Sequence, residues 1–292
     1  MSLERRQEYL DLNFWDESAW MGSFSPNHNY MIAWVYGDPD DAPRRKYALF
    51  CKNKMSYRGE TKDPLTARVS NNGTFILSSG CSFSERHHGI LIMNSDSKVL
   101  YETSVSGFGG DPGISLDGKF ACWSQEYKVV FYDILNKKII WKQQPRTGSD
   151  VEEYDFDISQ KTITFHYDQY GSLKYSFDGT FLDAKSFYEA RLKEGLLIYF
   201  DDMVELIRVA QSETEKQSIA KFLFQTLSVK WKEADSDGLR SSYTKMLGEM
   251  FEVLGMADKA IESYQKAVLL NPHIGVKGKI KQLQKSKETS RS

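Results

Sequence analysis

Two stretches of the chain carry the same order of polar and apolar positions. "SNNGTFILSS" begins at Ser70 and "SLDGKFACWS" at Ser115, 45 residues later. Four serines mark the recurrence, Ser25, Ser70, Ser115 and Ser159, at intervals of 45, 45 and 44 residues. Each follows an apolar residue (Phe24, Val69, Ile114, Ile158) and precedes a turn-forming run, "PNHN", "NNGT", "LDGK" or "QKT". Beyond each turn the apolar positions alternate: Tyr30 and Ile32, Phe75 and Leu77, Phe120 and Cys122, and, with one residue deleted, Ile163 and Phe165. A period of two describes a strand with one face buried, and Asn-Gly or Asp-Gly between apolar runs is a strong hairpin signal. The second and third units run on into "GILIMNSDSKVLYET" and "KVVFYDILNKKIIWKQ", each strand, polar turn, strand. The pattern predicts four short antiparallel strands per unit.

Such a unit resembles the blade of a β-propeller of the WD-repeat or quinoprotein-like kind, over residues 17–183. The Gly-His and Trp-Asp dipeptides of WD repeats are missing, so the resemblance is to the architecture. The last unit ends at Asp183 after three strands. The segment "EYLDLNFW", with Leu10, Leu12 and Phe14 alternating, is expected to supply the missing strand and close a ring of about four blades. An open or partial propeller is the alternative, in which the edges need covering.

After Asp183 the period becomes helical. Met203, Leu206, Ile207 and Ala210 fall at helical spacing, and Ser212 with Glu215 forms a capping box. Residues 241–272, "SSYTKMLGEMFEVLGMADKAIESYQKAVLLNP", resemble a tetratricopeptide repeat through Leu247, Gly248, Phe251, Gly255, Ala260, Tyr264, Ala267 and Pro272, with Thr244 in place of the family's tryptophan. Physically, Gly248, Ala260 and Ala267 let two antiparallel helices approach. Phe251 and Tyr264 fill between them, Gly255 makes the turn and Pro272 ends the second helix. One such pair cannot bury its outer face alone, so the preceding helices must stack on it.

The expected organisation is therefore a β + α multidomain chain: a β-propeller-like domain over 1–184, then an α-helical TPR-like solenoid over 185–292 with a basic C-terminal tail. The helical resemblance implies partner contacts on the concave side of the first helix of the pair, at Lys245, Glu249 and Glu252. The pattern leaves open whether that groove is free or filled by the propeller or the C-terminal helix.

Composition narrows the function. The chain has 292 residues, 40% apolar, 27% charged and 13% aromatic, with a formal net charge of −2. That is an ordinary globular balance and excludes a globally basic nucleic-acid binder. No apolar run is long enough to span a membrane, and the N-terminus carries charge where a signal peptide needs an apolar core. A cytoplasmic location is expected, with Cys51, Cys81 and Cys122 as reduced thiols.

Candidate chemistry is sparse. "GFGGDPG", residues 107–113, has phosphate-loop glycines but no following helix, so an inter-blade turn accounts for it. His87 and His88 are adjacent, whereas metal ligands converge from separated positions. Asp150, Glu152, Glu153, Asp155 and Asp157 read as a solvated strand face, and Trp34, Trp123 and Trp141 as packing between blades. Lys277, Lys279, Lys281, Lys285, Lys287 and Arg291 make the tail basic, without interleaved aromatics. With no GxSxG, HExxH or Walker pattern, no catalytic, cofactor or metal residue is assigned. The expectation is a non-catalytic protein–protein interaction scaffold or adaptor for a protein partner whose identity the sequence does not give. Two rivals stay open: a small-ligand- or metal-binding propeller that is a sensor or enzyme, and a nucleic-acid- or membrane-associated protein acting through the tail.

Overall fold

The computed structural model describes residues 20–35, 45–61, 64–80, 87–106, 111–125, 128–144, 151–168 and 171–289. The segment "EYLDLNFW", Cys81 and Asp150 lie outside them. The chain divides between Leu182 and Asp183 into two compact units.

In the first unit the described residues form fifteen strands in four antiparallel sheets, with neighbours in chain order. The first sheet is β1 (Trp20–Phe24), β2 (Tyr30–Val35), β3 (Arg45–Cys51) and β4 (Lys54–Thr61). The second is β5 (Pro64–Val69), β6 (Phe75–Ser79), β7 (His87–Met93) and β8 (Val99–Ser106). The third is β9 (Gly113–Ile114), β10 (Phe120–Gln125), β11 (Lys128–Asp133) and β12 (Lys138–Gln143). The fourth has three strands, β13 (Glu153–Asp157), β14 (Thr162–Tyr167) and β15 (Gly171–Ser176), and a single bridge from Tyr175 to Phe181 where the other sheets have a fourth strand.

The inner strands are buried on both faces, not one. In β6, Phe75 and Leu77 join a core with Ile32, Trp34 and Leu49 of the first sheet. Ile76, between them, joins a second core with Ala121, Trp123 and Tyr132 of the third. Alternate residues of one strand thus serve two neighbouring sheets, which is why β6 reads as a continuous apolar run.

The serine turns recur, but the strands after them are out of step by one residue. Ser25 N–H closes on Tyr30 O and Ser115 N–H on Phe120 O, whereas Ser70 N–H closes on Thr74 O, one residue sooner. Val69 therefore pairs with Phe75, while Phe24 pairs with Met31 and Ile114 with Ala121. The counterpart of Phe75 is Ala121, not Phe120; Phe120 turns the other way and packs on Phe177 at 4.8 Å. The fourth serine also differs. Ser159 donates back to Asp157, and the turn chemistry of the earlier units reappears at Ser176, whose hydroxyl donates to Asp178 while Thr180 N–H returns to Ser176 Oγ at 3.1 Å.

In the second unit the described residues form six helices: α1 (Ala184–Lys193), then a 3-10 turn at Leu197–Tyr199, α2 (Phe200–Val209), α3 (Glu213–Glu233), α4 (Asp237–Val253), α5 (Ala257–Leu270) and α6 (Lys277–Thr289). Ser212 caps α3 by accepting from Glu215 N–H at 3.2 Å, and the Glu215 carboxylate accepts from Gln211 N–H, one residue before the usual partner. Gly255, at φ +71, makes the α4–α5 turn. A Cβ on Gly248 would lie 2.5 Å from the Tyr264 ring, so its absence sets how closely α4 and α5 approach. Tyr264, Ala260 and Ala267 are fully buried there, and Ser241 Oγ donates to Ala267 O at 2.8 Å. Phe251 is only partly buried, because it also faces a groove on the far side of α4.

Candidate functional site

That groove has α4 as its floor and α3 and α5 as its walls. Thr244, Leu247 and Phe251 line the floor, Phe224, Ser228 and Trp231 one wall, and Lys259, Glu262 and Lys266 the other, around a volume of about 500 Å³. It continues past Phe224 and Phe251 into a second lobe of about 470 Å³ over Ala220, Met250, Leu254 and Met256. Phe224, at the junction, is 48% exposed, and its ring is 6.5 Å from that of Phe251.

Lysines ring this apolar surface. Lys266 Nζ stands 5.1 Å from the Trp231 ring centroid and Lys259 Nζ 5.6 Å from that of Phe251. Lys232 borders the first lobe and Lys221 the second. None of these four has a carboxylate partner among the described residues, while the groove's Glu213 is already paired with Lys216 at 2.8 Å. Lysine ammoniums are attracted to aromatic faces while their heads stay at the surface, so cations rim an apolar floor.

The residues expected to meet a partner, Lys245, Glu249 and Glu252, lie elsewhere on α4 and are engaged within the unit. Lys245 Nζ is 3.7 Å from Glu249 Oε1. Lys279 of α6 is 3.3 Å from the same oxygen and 3.6 Å from Glu252 Oε2, which also accepts from the Tyr264 hydroxyl at 2.6 Å. Burial, and then the Glu252 carboxylate, push the Tyr264 hydroxyl far above its ordinary value. The C-terminal helix therefore lies against part of this face, leaving Lys245 and Glu252 partly exposed. Ile280 and Leu283 pack near Tyr264, Lys287 pairs with Asp258 of α5, and α6 has no buried residue of its own.

The remaining candidates stay dispersed. Asp155 and Asp157 are exposed, with Asp155 on His166 Nε2 at 2.9 Å. Of the glycine run, Asp111 pairs with Arg68 at 3.0 Å and Gly113 sits under Tyr154; residues 107–110 lie outside the described part, as do the side chains of His87 and His88. No group of three or more metal-ligating side chains occurs among the described residues. Nor, among them, is any helix long and apolar enough to cross a membrane. Trp34 Nε1 donates to Leu65 O and Trp141 Nε1 to Phe177 O, both at 3.1 Å, and Trp123 packs 5.5 Å from Tyr101, so all three tryptophans sit between sheets. Cys51 and Cys122 are free thiols, and burial pushes the Cys122 thiol well up.

The groove had a sequence signal. Phe224, Ser228 and Trp231 form a second stripe at helical spacing on α3, beside the buried stripe of Ile219, Ala220, Leu223 and Leu227.

No protein-family profile matches the chain, and no curated protein does. Among solved structures, a similar chain is one described as Kuenenia stuttgartiensis hydrazine synthase, at a TM-score of 0.39 and 8% identity. The alignment spans 53% of this chain and 58% of that one.

Proposed function

We propose that the chain is a non-catalytic interaction scaffold, with its strand units arranged as propeller-like blades and its helices as a tetratricopeptide-like stack, and that a protein partner docks between α3 and α5. The blade reading is supported by three consecutive four-stranded antiparallel sheets, each sharing cores with the next. The helical reading is supported by Gly248 beneath Tyr264 and by the left-handed Gly255 between the paired helices. Docking at Lys245, Glu249 and Glu252 would compete with Lys279 of α6 for the two carboxylates.

The observation that carries the functional reading is the half-exposed Phe224 in a groove floored by Leu247 and Phe251. Apolar side chains converging on a concave surface edged by a few polar groups are the default place for another molecule to bind. The test is affinity capture with the full chain, followed by cross-linking and mass spectrometry. The expected result is a stoichiometric protein partner cross-linked to Lys232, Lys259 or Lys266. A chain that elutes alone and cross-links to nothing above background overturns the scaffold reading; a partner cross-linked only at Lys245 returns docking to the α4 face.

A further inference from the structure

Resting on that reading, we infer that the occupant of the α3–α5 groove is an acidic amphipathic helix of a partner protein, anchored by two apolar side chains. Three features of the groove point to this chemistry. First, its walls are two helices with a third as the floor, so a helix laid along the groove would pack on α4 between them once the Lys266 side chain, which reaches across to the Trp231 ring, swings aside. Second, the apolar floor is divided into two lobes joined at Phe224 and Phe251, one seat for each anchor. Third, the cations stand at both ends of the floor as well as beside it. Lys221 borders the far lobe and Lys232 the near one, roughly 16 Å apart along α3 at 1.5 Å per residue, with Lys259 and Lys266 facing them from α5.

Without carboxylate partners of their own, these lysines favour a ligand with carboxylates at both ends of about three helical turns, and they repel a basic one. Nucleic acid would satisfy the cations and stack on the Phe224 ring, but it would leave the aliphatic seats of Leu247, Leu254 and Met256 unfilled. Glu262 on the α5 wall opposes phosphates and glutamates alike, so it does not separate the two.

The probe is a fluorescein-labelled helical peptide of about eighteen residues, ~27 Å long, with leucines seven positions apart and glutamates at both ends. A twin with lysines replacing the glutamates and a thymidine oligonucleotide serve as comparisons, all read by fluorescence anisotropy against the full chain. The glutamate peptide is expected to bind at least tenfold more tightly than its twin. K259E/K266E should reverse that order, and Phe224→Ser should weaken both peptides. Circular dichroism of both variants verifies that they fold, since all three positions are exposed. Equal binding of the two peptides, an unchanged preference in K259E/K266E, or displacement of the glutamate peptide by an equimolar oligonucleotide overturns the inference. A cellular partner captured undiminished by folded K259E/K266E overturns it too while leaving the scaffold reading intact, whereas the absence of any stoichiometric partner defeats the scaffold reading itself.

Discussion

Asn72 Nδ2 donates a 2.8 Å hydrogen bond to the main-chain oxygen of Asp117, a residue 45 positions further along the chain. One unit earlier, Asn27 Nδ2 reaches Asn71 O at 3.2 Å, and Asn71 N–H in turn donates to Leu116 O at 2.9 Å. The repeat is thus stitched turn to turn, each side chain giving to the backbone of the next unit bonds that would otherwise go to water.

Gly118 lies in this seam at φ +71, and a Cβ there would meet Asn72 Oδ1 at 2.5 Å. Gly118→Ala should cost about 2–3 kcal/mol, since left-handed strain and a broken stitch combine. Gly171, at φ +68 with open space around it, isolates the strain alone, and Gly171→Ala should cost about 1 kcal/mol. Urea unfolding midpoints compare the two; equal losses would mean that the Asn72 contact contributes nothing.

The same turns carry a pH dependence. Partial burial pushes the Asp117 carboxyl up, but the Ser115 hydroxyl and the N–H and ammonium of Lys119 outweigh it and hold the group below its ordinary 3.8. A carboxyl depressed in the folded state stabilises fully above its unfolded value and loses that contribution as pH falls through its folded value. Stability should therefore decline as pH drops through and below 3.8. Asp117→Asn, which copies Asn72, should flatten part of that decline. Exposure limits the effect to a few tenths of a kcal/mol, so thermal midpoints at several acidic pH values are the appropriate readout.

Between α4 and α5, Gly248→Leu should cost about 2–4 kcal/mol by forcing the Tyr264 ring out of its seat. Tyr264→Phe keeps the packing and removes the 2.6 Å bond to Glu252, at a cost of about 1–2 kcal/mol. A loss of the same size in both variants, by chemical denaturation, would contradict the close-approach account.

Lys279 is the ionic clasp of α6. Lys279→Glu places a third carboxylate beside Glu249 and Glu252 and should speed amide hydrogen exchange across α6 at least tenfold, while α4 and α5 keep their protection. Unchanged exchange would mean that Ile280, Leu283 and the Lys287–Asp258 pair hold the helix without Lys279.

What was legible in the sequence follows from where the chemistry is local. The Ser-x-Asn and Ser-x-Asp turns announce themselves because the hydroxyl and the side-chain acceptor two residues on close the turn unaided, as Ser70 and Asn72 do at 2.6 Å. Counting intervals led to Ser159, yet the chemistry recurs at Ser176, whose "SFDGT" matches "SNNGT" in kind. The one-residue slip that sets Phe75 opposite Val69 but Ala121 opposite Ile114 was illegible, because equal serine spacing conceals a shorter turn compensated further along. The face at Glu249 and Glu252 could be named but not its cover, since the contact with Lys279 joins residues 30 positions apart with no pattern linking them. The groove was missed because Phe224 and Trp231 look like ordinary core residues until Ile219, Leu223 and Leu227 are seen to suffice for the core.

A cover fastened partly by charge behaves unlike one fastened by oil alone. Electrostatic screening shortens from about 10 Å at 0.1 M salt to about 3 Å at 1 M, so the grip of Lys279 and Lys287 on Glu249, Glu252 and Asp258 slackens as the surrounding medium grows saltier. The acidic side of α4 is in this sense half-shaded by a blind whose cord is the ionic strength of its surroundings, whereas the tightly filled Tyr264 seam beneath it responds far less to that setting.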